Sequence, residues 1–336
     1  MTSSSATEQS SKQSLIGSWA GFRTPTRRFL YGWAIADLAA NVLLVVTGGA
    51  VRVTDSGLGC PTWPQCTSGS LTPHAAMGIH GVIEFGNRML TWVLVVVAVA
   101  TFVAAMRHRP VDRLARRLAL GIGLGVPLQA VVGGITVLTN LNPWIVSFHF
   151  LATMLIISLA TWLVFHTSPA RTSPARTSPT LAVGAVGELS GAVPVITRIT
   201  VVASWAVYAV TWATVYLGTV VTGSGPHAGD IDSKRNGLEP TQATQLHVDA
   251  VWTLVGITAG LIVVTLVAKT IARRAAVVFG AIILFQGLIG YIQYATELPE
   301  WMVVLHMFGS AVLMSGATYL VVSAVRANRA VAEAAA

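Results

Sequence analysis

Residues Gln129–His149 read QAVVGGITVLTNLNPWIVSFH, and residues Gln286–His306 read QGLIGYIQYATELPEWMVVLH. In both, an apolar run breaks at a short polar loop carrying a proline and then a tryptophan, and a second apolar run follows. In both, a histidine lies twenty positions after the glutamine. Two apolar runs joined by so short a loop read as a pair of antiparallel helices. The pair occurs once in each half of the chain, so the fold is an internal duplication with two related candidate ligand sites.

The solvent of these helices follows from composition. Of 336 residues, 54% are hydrophobic and 10% are charged, with a mean hydropathy of +0.68. A soluble domain carries about 25% charged residues. Apolar stretches long enough to cross a bilayer recur along the whole chain, and in lipid a helix satisfies its own backbone groups. The expectation is an all-α polytopic membrane protein with spans at 29–51, 79–105, 117–138, 144–166, 197–222, 243–268, 275–295 and 301–325. The first 28 residues are polar and Ser/Thr-rich, with no signal-peptide pattern.

The net charge of +8 and a pI near 10.1 raise nucleic acid as a partner, but the positions of the charges argue against it. Lys12, Arg23, Arg27 and Arg28 precede the first span. Arg107, Arg109, Arg113, Arg116 and Arg117 lie between the second and third. Arg171, Arg176 and Arg198 follow the fourth, Lys269, Arg273 and Arg274 separate the sixth from the seventh, and Arg326 and Arg329 close the chain. These segments share one side of the membrane, so both termini are expected in the cytoplasm of a cell-membrane protein. Residues 167–196 contain the imperfect repeat TSPARTSPARTSPT, a composition that cannot build a core. They are expected to link an N-terminal half, 29–166, to a C-terminal half, 197–325, between a tail at 1–28 and another at 326–336. Each half starts on the same side, which implies two parallel four-helix bundles with pseudo-twofold symmetry.

Four of the eight histidines, His108, His166, His74 and His227, fall at helix ends or in loops and read as ordinary surface residues. His80, His149, His247 and His306 fall in or near the outer ends of the even-numbered spans. An ionisable group there faces the bundle interior. Two imidazoles on facing helices are a natural axial pair for heme iron, and His247 and His306 form the candidate pair. The competing reading is a set of hydrogen bonds between helices. In the first half His149 corresponds to His306, but the position matching His247 falls at Asn87, and an amide is a poor heme ligand. His80 is seven residues earlier, about 10 Å along the helix axis. Glu84 shares a helix face with both His80 and Asn87. It is either a catalytic carboxylate or the ion-pair partner of Arg88, one turn on. Cys60 and Cys66 flank two prolines in an external loop, a spacing that permits a small disulfide loop.

At these residues the chain resembles the heme A synthase family, and within it the actinobacterial-type members. The resemblance covers residues 29–325. It rests on GGAVRVTDSGLGCPTWPQC (48–66), IEFGNR (83–88), SFHF around His149, QLH (245–247) and VLHMF (304–308). It implies an eight-helix, pseudo-twofold bundle that oxidises a ring methyl of heme O to a formyl group. It implies heme b on His247 and His306 and the substrate heme iron on His149, with Asn87 at the second ligand position; Asn87 and, from its spacing alone, His80 are the candidate substrate-site contacts. The family's glutamate maps onto Glu84 and its external cysteine pair onto Cys60 and Cys66. Asn87 stands where the family carries a histidine, so the chain departs from the pattern at one iron ligand. The implied partners are heme O, heme O synthase, the cytochrome oxidase assembly machinery, the lipid bilayer and a second copy of the chain, with no nucleic acid. Two other readings compete. A diheme cytochrome that only transfers electrons accounts for the histidines but not for Glu84. A transporter of parallel repeats predicts helices broken near the midplane, for which Gly121, Gly123, Gly125 and Pro127 are the nearest sign.

Overall fold

A computed structural model describes residues 21–169 and 193–335. Eight long helices dominate it: α1 (Arg27–Val53), α2 (Gly78–Arg107), α3 (Arg113–Leu138), α4 (Pro143–Thr167), α5 (Val193–Ser224), α6 (Pro240–Val267), α7 (Arg273–Ala295) and α8 (Glu300–Ala335). All eight are long and apolar enough to cross a membrane. The all-α expectation holds, and the chain is a multi-pass membrane protein. Most of the expected linker, residues 170–192, and most of the N-terminal tail, residues 1–20, lie outside the described residues. The expected C-terminal tail is helical, because α8 continues to Ala335. Its sequence from Arg326 is rich in alanine, the strongest helix former.

Local signals start the helices where the chain turns back. Thr26 Oγ1 accepts from the Phe29 amide at 3.1 Å, Asp112 Oδ1 from Ala115 at 3.0 Å, Asn142 Oδ1 from Trp144 at 3.0 Å and Glu239 Oε2 from Gln242 at 2.7 Å. Pro143 and Pro240 sit at first helical positions, where a missing N–H costs nothing. Pro127 does not break α3, which runs unbroken from Arg113 to Leu138. The break that a transporter would need is therefore absent from this helix.

Within each half the helices pack as a closed ring: α1–α2–α3–α4 and back to α1, then α5–α6–α7–α8 and back to α5. The halves meet through α1, α4, α5 and α8. Val45, Met154, Ile157, Val215, Ala311 and Met314 form the shared core there, and Thr161 Oγ1 donates to Ser315 Oγ at 3.1 Å. Large apolar residues such as Trp92, Val202 and Trp252 point outward, as lipid-facing side chains do. Polar residues such as Thr161, Thr211 and Thr318 are buried between helices, the arrangement by which membrane helices associate.

The duplication also appears in the backbone. Asn140 and Leu141 adopt φ of 52° and 55°, and Glu297 and Leu298 both adopt 61°. Two consecutive left-handed non-glycine residues are rare. Both α3–α4 and α7–α8 use them, with Leu141 N–H donating to Thr136 O at 2.8 Å and Leu298 N–H to Gln293 O at 2.9 Å. These turns set the face that α4 and α8 present to the preceding helix, and so the direction of His149 and His306.

Candidate functional site

His149 and His306 each lie about two turns inside α4 and α8, against glycines of the preceding helix. A Cβ added at Gly133 would approach His149 Cε1 to 3.2 Å, and one at Gly290 would approach His306 Cε1 to 3.1 Å. The motif is Gln-x-x-x-Gly in both copies, Gln129 with Gly133 and Gln286 with Gly290. Gln129 Nε2 donates to His149 O at 2.9 Å, and Gln286 Nε2 donates to His306 O at 2.8 Å. The twenty-residue spacing is thus a physical clamp: the glutamine reaches the backbone of the histidine, and one turn on the glycine makes room for its ring.

In the second half, a Cβ at Gly218 of α5 would come within 3.2 Å of His247 Cε1. His247 Nδ1 lies 3.0 Å from Thr214 O. A carbonyl accepts only, so Nδ1 carries the hydrogen and Nε2 keeps its lone pair. His306 Nδ1 lies 3.0 Å from Gln286 Nε2. Both histidines are half-buried. Two imidazoles laid on glycine-bared backbone and held from behind are side chains able to ligate a heme iron.

The first half differs. His149 Nδ1 is buried and has no partner; Gln129 instead donates its second hydrogen to Thr153 Oγ1. Asn87 accepts from Thr47 Oγ1 at 2.7 Å. His80 is exposed, with Nδ1 3.0 Å from Ser56 Oγ, and the structure does not bring it to the level of Asn87. Glu84 is 5% exposed. Its Oε1 accepts from Arg88 at 2.5 and 3.1 Å, and its Oε2 accepts from the Cys60 amide at 2.5 Å. The ion pair that sequence reading held open is therefore present. Arg88 also donates to the carbonyls of Cys60 (2.8 Å), Thr62 (3.0 Å) and Gln65 (3.2 Å).

Cys60 and Cys66 are disulfide-bonded, as their spacing allowed. The loop they close rests on Glu84 and Arg88 and seats the Trp63 indole directly on Gly134. Gly134 adjoins Gly133, so the loop and the His149 ring contact neighbouring residues of α3. Among the described residues no group of three His, Cys, Asp or Glu is placed to hold a bare metal ion.

Sequence reading missed Thr47, the three ring-facing glycines and the organising role of Arg88. The Gln-x-x-x-Gly repeat was the available signal for two of the glycines. It also missed Asp37 and Asn41, 0% and 2% exposed on α1. There Asn41 Nδ2 donates to Asp37 O at 2.9 Å, and Asp37 Oδ1 has no partner. Hydropathy averaging over α1 hides them.

The COX15-CtaA family, described as cytochrome oxidase assembly protein, matches residues 31–318. The chain is 31% identical over 128 residues to heme A synthase of Symbiobacterium thermophilum, covering 38% of this chain and 41% of that one. It is 36% identical over 112 residues to heme A synthase of Geobacillus thermodenitrificans, covering 32% and 33%. It is 28% identical over 125 residues to heme A synthase of Listeria welshimeri, covering 37% and 41%. These alignments span between a third and two-fifths of the relatives' own lengths.

Proposed function

The chain belongs to the COX15-CtaA family of cytochrome oxidase assembly proteins, and on that footing we propose that it is a heme A synthase, a membrane oxidoreductase that converts a ring methyl of heme O to a formyl group. The observation that carries this reading is the inequality of the two sites. The second half presents two imidazoles, His247 and His306, each with its ring on glycine. The first half presents His149, an amide in place of the second imidazole, and a buried carboxylate on the same helix as the amide. One copy suits a resident cofactor and the other a substrate.

In this reading His247 and His306 hold heme b, and heme b supplies one-electron chemistry that no side chain provides. Thr214 O fixes the His247 tautomer that ligates through Nε2. Gln286 Nε2, donating to His306 O, holds the backbone from which that ring projects. His149 holds the iron of the substrate and so fixes the porphyrin in the first half. The methyl carbon loses two electrons in each of two hydroxylations, four in all, to an external oxidant, and the resulting geminal diol loses water to leave the formyl. Glu84, with both oxygens occupied by donors, suits a fixed anion facing positive charge on the substrate better than a base that strips a proton from water. The disulfide loop, held by Arg88, places Trp63 over the same part of α3.

The basic residues at the start of α1, between α2 and α3, between α6 and α7 and late in α8 support a reading with that end in the cytoplasm and the disulfide loop outside. A diheme cytochrome would be served by two equivalent histidine pairs, and the first half has only one member of such a pair. The test is the spectrum of the purified full chain. His247→Ala and His306→Ala are expected to abolish the low-spin heme b bands, and an unchanged spectrum in either variant overturns the ligand assignment.

A further inference from the structure

We infer that the first half holds the substrate's iron by His149 alone, with Asn87, positioned by Thr47, as a hydrogen-bonding residue in place of a second ligand. The inference rests on the heme A synthase reading and deepens it. It begins from a comparison inside the chain. In the second half the α6 side chain is an imidazole that lies on Gly218 of the first helix of its half. In the first half the corresponding α2 side chain is Asn87, and it reaches α1 differently.

Asn87 Oδ1 accepts from Thr47 Oγ1 at 2.7 Å. Neither glycine that follows Thr47 meets it: a Cβ at Gly48 would have nothing within 4 Å, and one at Gly49 would meet Met307 Sδ at 3.1 Å. Asn87 therefore does not pack on the glycines of α1 as His247 packs on Gly218 of α5. A carboxamide oxygen is a weak ligand for heme iron, and this one is already engaged by a hydroxyl hydrogen. With its oxygen anchored, the amide group left for a ligand is the NH₂, which donates and cannot coordinate. A heme held by one imidazole near a hydrogen-bond donor would favour binding of a small molecule over fixed electron transfer.

His80 does not restore a second ligand. It is exposed, tied to Ser56 at 3.0 Å, and about 10 Å along the helix from Asn87. The half-buried Asn87 and His149 then make a site with one strong ligand and one donor.

The experiment uses the full chain purified with bound heme and supplied with heme O. Ferric electron paramagnetic resonance is expected to show a high-spin signal beside the low-spin signal of the second half. After reduction, carbon monoxide is expected to bind one of the two hemes. Asn87→His is expected to convert the high-spin signal to low-spin and to suppress carbon monoxide binding. Thr47→Val is expected to leave the site high-spin and to shift the carbon monoxide stretching frequency, because the amide loses its anchor. Two low-spin hemes and no carbon monoxide binding in the unaltered chain would overturn the inference, as would Asn87→His with spin state and carbon monoxide binding unchanged. An unmoved stretching frequency in Thr47→Val would remove the role given to Thr47. A chain that binds no heme would instead defeat the functional reading on which the inference stands.

Discussion

Gln286 and His306 are joined twice: the glutamine Nε2 lies 2.8 Å from the histidine carbonyl oxygen and 3.0 Å from its ring Nδ1. Both residues point away from lipid, and the bonds fix the ring about both its backbone and its plane. Groups that orient a metal-bound histidine typically alter metal affinity by about 10- to 100-fold when removed. Gln286→Leu is therefore expected to keep a low-spin heme b but to weaken its retention by roughly that factor, measured as heme per chain after washing in detergent. Gln129→Leu is expected to leave the second site unaffected.

The glycine under the ring gives a sharper test, because its neighbour on the same helix is a built-in control. A Cβ at Gly290 would press His306 Cε1 at 3.1 Å, whereas one at Gly287 would meet nothing within 4 Å. Gly290→Ala is expected to displace the imidazole and cost about 1–3 kcal/mol of overpacking, with a broadened or lost low-spin spectrum. Gly287→Ala is expected to keep that spectrum, with stability changed by no more than about 1 kcal/mol. Optical spectra and thermal melting of the two variants check both statements.

The two residues beneath the disulfide loop separate structure from chemistry. Arg88→Ala removes the donor to three loop carbonyls and leaves Glu84 buried with the Cys60 amide alone. Breaking a buried ion pair from one side costs about 3–5 kcal/mol, so a lowered melting temperature and faster proteolysis within 57–70 are expected. Glu84→Gln keeps the shape and is expected to preserve heme content while abolishing heme A formation. Full product formation by Glu84→Gln would reduce Glu84 to a fastening for the loop.

At the opposite end, Asp112 caps α3 and joins it to α4, its carboxylate lying 2.7 Å from His166 Nε2. Partial burial alone would raise its pKa, but the Ala115 amide, His166 and Arg27 outweigh this and hold the carboxyl below the ordinary aspartate range. A group whose pKa is depressed by folding adds stability above its unfolded value and loses it as pH falls through the folded one. Stability is therefore expected to decline below about pH 4, with a smaller decline in Asp112→Asn, measured by melting across pH 2–6 in detergent.

The spans were legible because hydropathy over twenty residues is a property of the solvent, and the bilayer enforces it. The Gln-to-His repeat was legible because both ends of the clamp are named residues at fixed spacing. The turn between them was not. Asn140–Leu141 and Glu297–Leu298 share a left-handed backbone but only the leucine, and neither pair contains the glycine that normally marks it. The helical packing on both sides imposes that conformation. The difference between the halves was visible as Asn87 against His247, whereas its physical basis, the bond from Thr47, joins residues of two helices whose pairing only the fold supplies. For Glu84 the sequence offered two roles, and the Cys60 amide that sits on its second oxygen could not be read from helical spacing.

The central claim is tested most directly by extracting and chromatographing the hemes of cells supplied with heme O, with and without this chain. The account predicts heme A or hydroxylated heme O only where the chain is present, and its loss in Glu84→Gln. Heme O and heme b alone, from cells in which the purified chain carries its low-spin heme, would contradict it and leave an electron-transfer protein in its place.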